Sequence, residues 1–200
     1  MDHHFLAKGL AVGDLKADLG KGIFAVRPFA AGELLAVWGG RIISTQEIGR
    51  LAEAERAYVI QVEDDLHLLT PRPNVGSADY INHSCDPNSG LSSSVSLVAL
   101  RPIRPGEEIC YDYAMSDSNP FLDFPCHCGS PLCRGRITGE DWMLAYIQAR
   151  YAEHFSPYLK RRLGKGLRLV PNPAELRPER PRRPRIARAH AALRPLLNEA

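Results

Sequence analysis

Two hundred residues, 44% of them hydrophobic, suffice for one folded domain with appendages and exclude a chain that is disordered by composition. The net charge of +2 conceals an imbalance, because residues 160–200 carry twelve Lys/Arg against three Asp/Glu whereas residues 1–159 carry thirteen against twenty. No run approaches the ~20 apolar residues of a membrane span, and Met1-Asp2-His3-His4-Phe5-Leu6 has neither the basic start nor the apolar stretch of a secretory signal. The expected setting is therefore soluble and cytoplasmic, with no membrane partner. An acidic body attracts a basic protein or peptide, and a basic tail can meet nucleic acid or simply serve solubility.

In chain order, Leu10-Ala11-Val12 opens a first strand, and Leu19-Gly20-Lys21-Gly22 is a glycine-rich turn entering the apolar run Ile23 to Val26. Leu34 to Trp38 is a strand closed by Gly39-Gly40, and Ile42-Ile43 is a short apolar segment. Ser44-Thr45-Gln46-Glu47 is a capping box, and Ile48, Leu51 and Ala52 follow at helical spacing, which predicts a helix over 45–57. Tyr58 to Val62 and His67 to Thr70 read as a hairpin about Asp64-Asp65. The stretch Asp79 to Asn88 ends in Asp86-Pro87-Asn88, and the residue before proline is kept out of helix, so a rigid loop leaving a short strand is expected. Val95 to Leu100 and Ile109 to Tyr113 are further strands. Thr138-Gly139-Glu140-Asp141 is a second capping box, with Trp142, Tyr146, Ala149 and Phe155 along one side of a helix over about 139–155. Ser156-Pro157 opens a short helix, with proline at its first position. From Val170 the chain is rich in Arg-Pro pairs and reads as extended, with a short helix over 186–198. Many short strands and frequent turns predict a mainly β fold. The alternating long helices of a doubly wound sheet are missing, as are Gly-x-Gly-x-x-Gly and phosphate-loop motifs.

The five cysteines, Cys85, Cys110, Cys126, Cys128 and Cys133, are an odd number, which argues against a disulfide framework in an intracellular chain. Cys126-x-Cys128-x4-Cys133 offers three closely spaced thiolates, one short of the four that structural zinc requires. The remaining candidates are Cys85, Cys110 and His127. Cys110 sits in an apolar strand and reads as a buried thiol, whereas His127 lies between two ligands and its side chain tends away from them. Cys85, on an irregular loop, can swing to the cluster, so the expected zinc ligands are Cys85, Cys126, Cys128 and Cys133.

At this point the chain resembles the SET-domain protein lysine methyltransferases, with matches in order over about residues 10–136. Gly20-Lys21-Gly22 resembles the first glycine motif, and Val37-Trp38-Gly39 sits where that family has Tyr-x-Gly. Tyr80-Ile81-Asn82-His83-Ser84-Cys85-Asp86-Pro87-Asn88 and Gly106-Glu107-Glu108-Ile109-Cys110-Tyr111-Asp112-Tyr113 resemble its two most specific motifs. The cysteine cluster with Arg134-Gly135 is similar to the post-SET zinc segment, which takes its fourth thiolate from the Asn-His-Ser-Cys loop. Val37 in place of tyrosine, and Gly40 in place of an acidic residue, depart from the pattern and bear on substrate fit.

The resemblance implies a SET-type fold of small curved β-sheets with a C-terminal pseudoknot, here followed by C-terminal helices. It divides the chain into a SET domain at 10–118, a post-SET zinc segment at 119–137, a helical extension at 138–168 and a basic Pro/Arg-rich tail at 169–200. It implies S-adenosylmethionine as methyl donor, contacted by Leu19, Gly20, Lys21, Gly22, Tyr58, Tyr80, Asn82 and His83, with His127 at the adenine. Tyr113 would orient the lysine amine, and Tyr111 would set the space for added methyl groups, a tyrosine there leaning toward fewer. Methyl transfer suits such a site, since positioning and electrostatics dominate and an apolar channel favours the neutral amine over its usual ammonium. The reading from another class is a zinc-stabilised module without catalysis, binding nucleic acid or protein through its tail.

Overall fold

A computed structural model describes residues 4–15, 20–70 and 77–164. Leu19 and everything from residue 165 onward, including the expected extended tail and the helix over 186–198, lie outside the described residues. The described residues form four small sheets. The first runs in the order β1 (Phe5–Leu6), β4 (Leu34–Val37), β10 (Ser96–Ala99) and β9 (Ser89–Leu91). The second runs β2 (Leu10–Asp14), β3 (Lys21–Ala25), β11 (Glu108–Tyr111) and β8 (Asn82–His83). The third, β5 (Arg41–Ser44), β7 (Leu66–Leu69) and β6 (Val59–Glu63), contains the expected hairpin. The fourth is the pair β12 (Asp123–Pro125) and β13 (Arg136–Thr138).

Among the described residues, all strand pairings are antiparallel except that of β8 with β11, where Asn82 faces Cys110 and His83 faces Tyr111. That parallel pair brings together segments 28 residues apart in register, so the Asn-His loop and the last long strand are held as one unit. Asn88 adds to it: its amide donates to the Glu108 carbonyl at 2.8 Å, and its oxygen accepts from the Cys110 N–H at 3.1 Å. This is the crossing at which the pseudoknot is expected.

One core serves both four-stranded sheets and the C-terminal helices. Ile23, Leu35, Leu97 and Ile109 pack in the same cluster as Ile147, Phe155, Tyr158 and Leu159. Burying each such large apolar side chain stabilises by roughly 1.5–3 kcal/mol, so the helices α3 (Ala145–Tyr151) and α4 (Pro157–Leu163) are structural parts of the body.

The helix expected over 45–57 is two short ones, α1 (Thr45–Ile48) and α2 (Glu53–Arg56). The Ser44–Glu47 capping box forms as expected, but Gly49 ends α1 and Ala52 is extended, with Glu55 accepting from its N–H. The helix over 139–155 likewise breaks at Leu144, whose ψ of 125° separates a 3₁₀ turn at Asp141–Met143 from α3. The strand expected to run to Tyr113 stops at Tyr111, because the Asp112 carboxylate accepts from the Ala114 N–H and starts a 3₁₀ turn over Tyr113–Met115. No helix among the described residues is long and apolar enough to cross a membrane.

Candidate active site and metal centre

The first half of the site is the junction of the glycine turn, β8 and β11. Gly20 has φ +92°, a conformation that side chains disfavour, and a Cβ there meets no described atom within 4 Å. A Cβ on Gly22 would lie 2.7 Å from Glu108 Oε1, so the backbone at Lys21-Gly22 runs against that carboxylate. Asn82 clamps the two together. Its amide donates to the Lys21 carbonyl and to Glu108 Oε1, each at 2.9 Å. Burial raises the Glu108 carboxyl, and the Asn82 bond partly offsets this. With both amide protons spent, Asn82 keeps its oxygen for a ligand donor. Exposed Gly20, the Lys21-Gly22 backbone and the Asn82 oxygen are what this strand end offers to the amino-acid part of a small polar cofactor.

Beside this lies a group of aromatic rings. Tyr111 and Tyr113 have centroids 4.9 Å apart, Trp38 is 5.5 Å from Tyr111, and His83 is 5.2 Å from Tyr113. Phe124 stands 6.0 Å from both His83 and Tyr113. The Trp38 indole N–H donates to the Ala78 carbonyl at 3.0 Å, which fixes its ring. Trp38 thus supplies aromatic surface next to Tyr111 although Val37 lacks it. The Tyr113 hydroxyl donates to the Ile81 carbonyl at 3.2 Å, and burial raises both tyrosines far enough to keep them protonated.

The cysteines form the second half. The sulfurs of Cys85, Cys126, Cys128 and Cys133 all lie within 4.8 Å of one another, Cys85 and Cys126 being 3.9 Å apart. Ligands of a tetrahedral zinc with Zn–S of about 2.3 Å stand about 3.8 Å apart, so this donor set fits a soft, four-coordinate ion. Thiols this close cannot all ionise without a cation. Cys126 is pushed up to about 12 by its bond to Cys128, and Cys128 is driven down by Cys126 and Cys85. Cys85 Sγ accepts from the Arg134 N–H at 3.3 Å, and His83 Nε2 lies 3.3 Å away. Burial lowers His83 to about 4, so the ring is neutral. Its Nδ1 accepts from the Tyr113 N–H at 3.2 Å, which leaves Nε2–H to donate to the sulfur.

The Arg134 side chain ties the cysteine segment to the Tyr113 turn. Its guanidinium donates to both Asp112 oxygens at 2.6 and 2.7 Å, and Nε donates to Asp141 at 2.6 Å. Arg134 is 8% exposed and Asp112 is fully buried, so this fork is a desolvated link.

The structure brings Gly20, Lys21, Gly22, Asn82, His83, Tyr111 and Tyr113 together, and it joins Cys85 to the other three cysteines. Tyr80 closes a 3₁₀ turn one residue before Ile81 and packs on the core. Tyr58 is half-buried at the entry to β6, on the three-stranded sheet rather than on β11. His127 is exposed between two of the cysteines. Cys110 takes no part in the cluster. Sequence reasoning missed Phe124, Asp112 and the Arg134 side chain. A lone aromatic two residues before Cys126 was a signal for Phe124, but the Arg134–Asp112 pair, 22 residues apart, carried none.

Comparison with known proteins agrees with this geometry. Residues 20–114 match the family model described as SET domain. The chain is 32% identical over 168 residues to Histone-lysine N-methyltransferase ash1 of Drosophila melanogaster, which covers 76% of this chain and 7% of that protein. It is 31% identical to an H3 lysine-4 specific histone-lysine N-methyltransferase of Cryptococcus neoformans, over 58% of this chain and 9% of that protein. It is 29% identical to Histone-lysine N-methyltransferase 2B of Homo sapiens, over 58% of this chain and 5% of that protein. The chain therefore spans only a small part of each of these relatives. Matching motifs, small-sheet architecture and sequence likeness coincide on one segment, and residues 20–114 are a SET domain.

Proposed function

We propose that this chain transfers a methyl group from S-adenosylmethionine to a lysine side chain of a basic, histone-like protein. The observation that supports this best is the Asn82 clamp, which joins the glycine turn to β11 right beside the Tyr111–Tyr113 pair. When bound, the donor supplies a methyl group on a positive sulfonium. Leu19, Gly20, Lys21 and Gly22 would hold it through backbone, and the Asn82 oxygen, left over from its two donated bonds, would be the acceptor offered to it. His83, Tyr58, Tyr80 and His127 complete its surroundings. The rings of Trp38, Tyr111, Tyr113 and Phe124 exclude water and accept an alkylammonium by cation–π contact. That apolar setting favours loss of the amine's proton, and Tyr113 orients the neutral nitrogen. Cys85, Cys126, Cys128 and Cys133 hold a structural zinc that keeps the 119–137 segment against the Asn-His loop.

The acidic body, thirteen Lys/Arg against twenty Asp/Glu over residues 1–159, suits a lysine-rich peptide. The basic tail, beyond the described residues, offers contact with nucleic acid, and the cytoplasm is the proposed location. The test incubates purified protein with labelled S-adenosylmethionine and a set of basic proteins, and compares wild type with Tyr113→Phe. Transfer to lysine that falls at least a hundredfold in the variant is expected. Donor binding without transfer to any substrate would refute catalysis and leave a binding module.

A further inference from the structure

The segment after Tyr113 belongs to no motif and extends beyond the matched domain, yet it is buried. Ser116 is fully buried, and Asp117 is 4% exposed. Asp117 Oδ1 accepts from the Gln61 N–H at 3.2 Å and from Asn119 Nδ2 at 3.0 Å, and Oδ2 accepts from Ser116 Oγ at 2.6 Å. A serine has one hydroxyl proton. The carboxylate at 2.6 Å takes it in preference to the Tyr113 carbonyl at 3.3 Å. Ser116 Oγ can then only accept from Tyr111 Oη, which lies 3.3 Å away. The Tyr111 proton is turned toward Ser116, and its oxygen lone pairs are left for whatever stands beside the ring.

The C-terminal extension holds this arrangement from outside. The Tyr158 hydroxyl donates to the Ser116 carbonyl at 2.6 Å, the Ser156 N–H to the Met115 carbonyl at 2.8 Å, and Arg162 Nη1 to Ser118 Oγ at 2.9 Å. Burial lifts Asp117 only to about 6, so it is an anion at neutral pH.

We infer that Asp117, acting through Ser116, fixes the Tyr111 hydroxyl as a hydrogen-bond acceptor toward the substrate amine and so limits how many methyl groups are added. The inference rests on the proposed function. A fixed acceptor stabilises nitrogens that still carry N–H. Each transferred methyl removes one, so the product leans to the monomethyl form. Ser116 and Asp117 are positioning residues, since neither needs to touch the amine.

In Asp117→Asn the amide oxygen can keep Gln61 and Asn119 while its N–H donates to Ser116. The serine proton then turns to Tyr111, and Tyr111 donates into the site. Ser116→Ala removes the link altogether with loss of a single oxygen. The measurement is the ratio of dimethyl to monomethyl lysine, by mass spectrometry, at matched total turnover. Both variants are expected to raise it on the order of tenfold, the worth of one hydrogen bond. Combining either with Tyr111→Phe should add nothing further. A purely structural role would slow every step and leave the ratio where it was. Transfer by wild type with an unchanged ratio in Ser116→Ala overturns the inference alone, and no transfer by wild type overturns the proposed function and the inference with it.

Discussion

Replacing Arg134 by alanine tests whether the cysteine segment and the Tyr113 turn are one energetic unit. The guanidinium makes three charge-assisted bonds of 2.6–2.7 Å to Asp112 and Asp141, in a place where Arg134 is 8% exposed. Removing one member of a buried ion pair costs about 3–5 kcal/mol, because the remaining charge stays desolvated without a partner. Here two carboxylates are left, one of them the cap of the turn that carries Tyr113. A single domain is stable by about 5–15 kcal/mol, so the variant should sit near its unfolding threshold. Urea denaturation followed by far-ultraviolet circular dichroism gives the loss directly. Arg134→Lys keeps the charge but not the fork, and should fall between wild type and alanine. Asp112→Asn combined with Arg134→Ala should be less damaging than the sum of the two, since the stranded charge is gone. A loss below about 1 kcal/mol in Arg134→Ala would show that the fork is wet and that the segment docks by other means.

Three further outcomes are expected. Freshly purified protein should contain one zinc per chain by elemental analysis, and Cys85→Ala should lose it and melt earlier, whereas Cys110→Ala, outside the cluster, should retain it. Burial lowers the His67 pKa to about 4, against an opposing pull from Asp65, so the folded state holds the ring neutral. The unfolded chain takes up that proton first, and stability present above pH ~6.5 should be lost as pH falls toward 4, by at most about 3 kcal/mol, with the slope flattened in His67→Gln. Phe155→Ala should cost about 3–5 kcal/mol by leaving a cavity in the shared core, measured by the shift in the urea midpoint, and a loss under 1 kcal/mol would mean that the helices are a detachable appendage.

The elements that local sequence determines were legible. The Ser44–Glu47 capping box, the proline start of α4 and the hairpin about Asp64-Asp65 each depend on neighbours a few residues away, and each forms. Helix lengths were not legible, because Ala52, whose N–H is taken by Glu55, and Leu144, which is buried in the core, are both extended although their propensities favour helix. Composition and spacing by themselves determined a mainly β chain, a thiol cluster of the right number and two chemically loaded stretches. Tertiary structure alone decided how those stretches meet. Parallel pairing of β8 with β11 places Asn82 against the glycine turn and His83 against Tyr113. Folding also sets Ser116 and Asp117 behind Tyr111, and Arg134 across from Asp112. Those contacts join residues far apart in sequence or turn on the aim of a single hydroxyl proton, and no periodicity or motif encodes either.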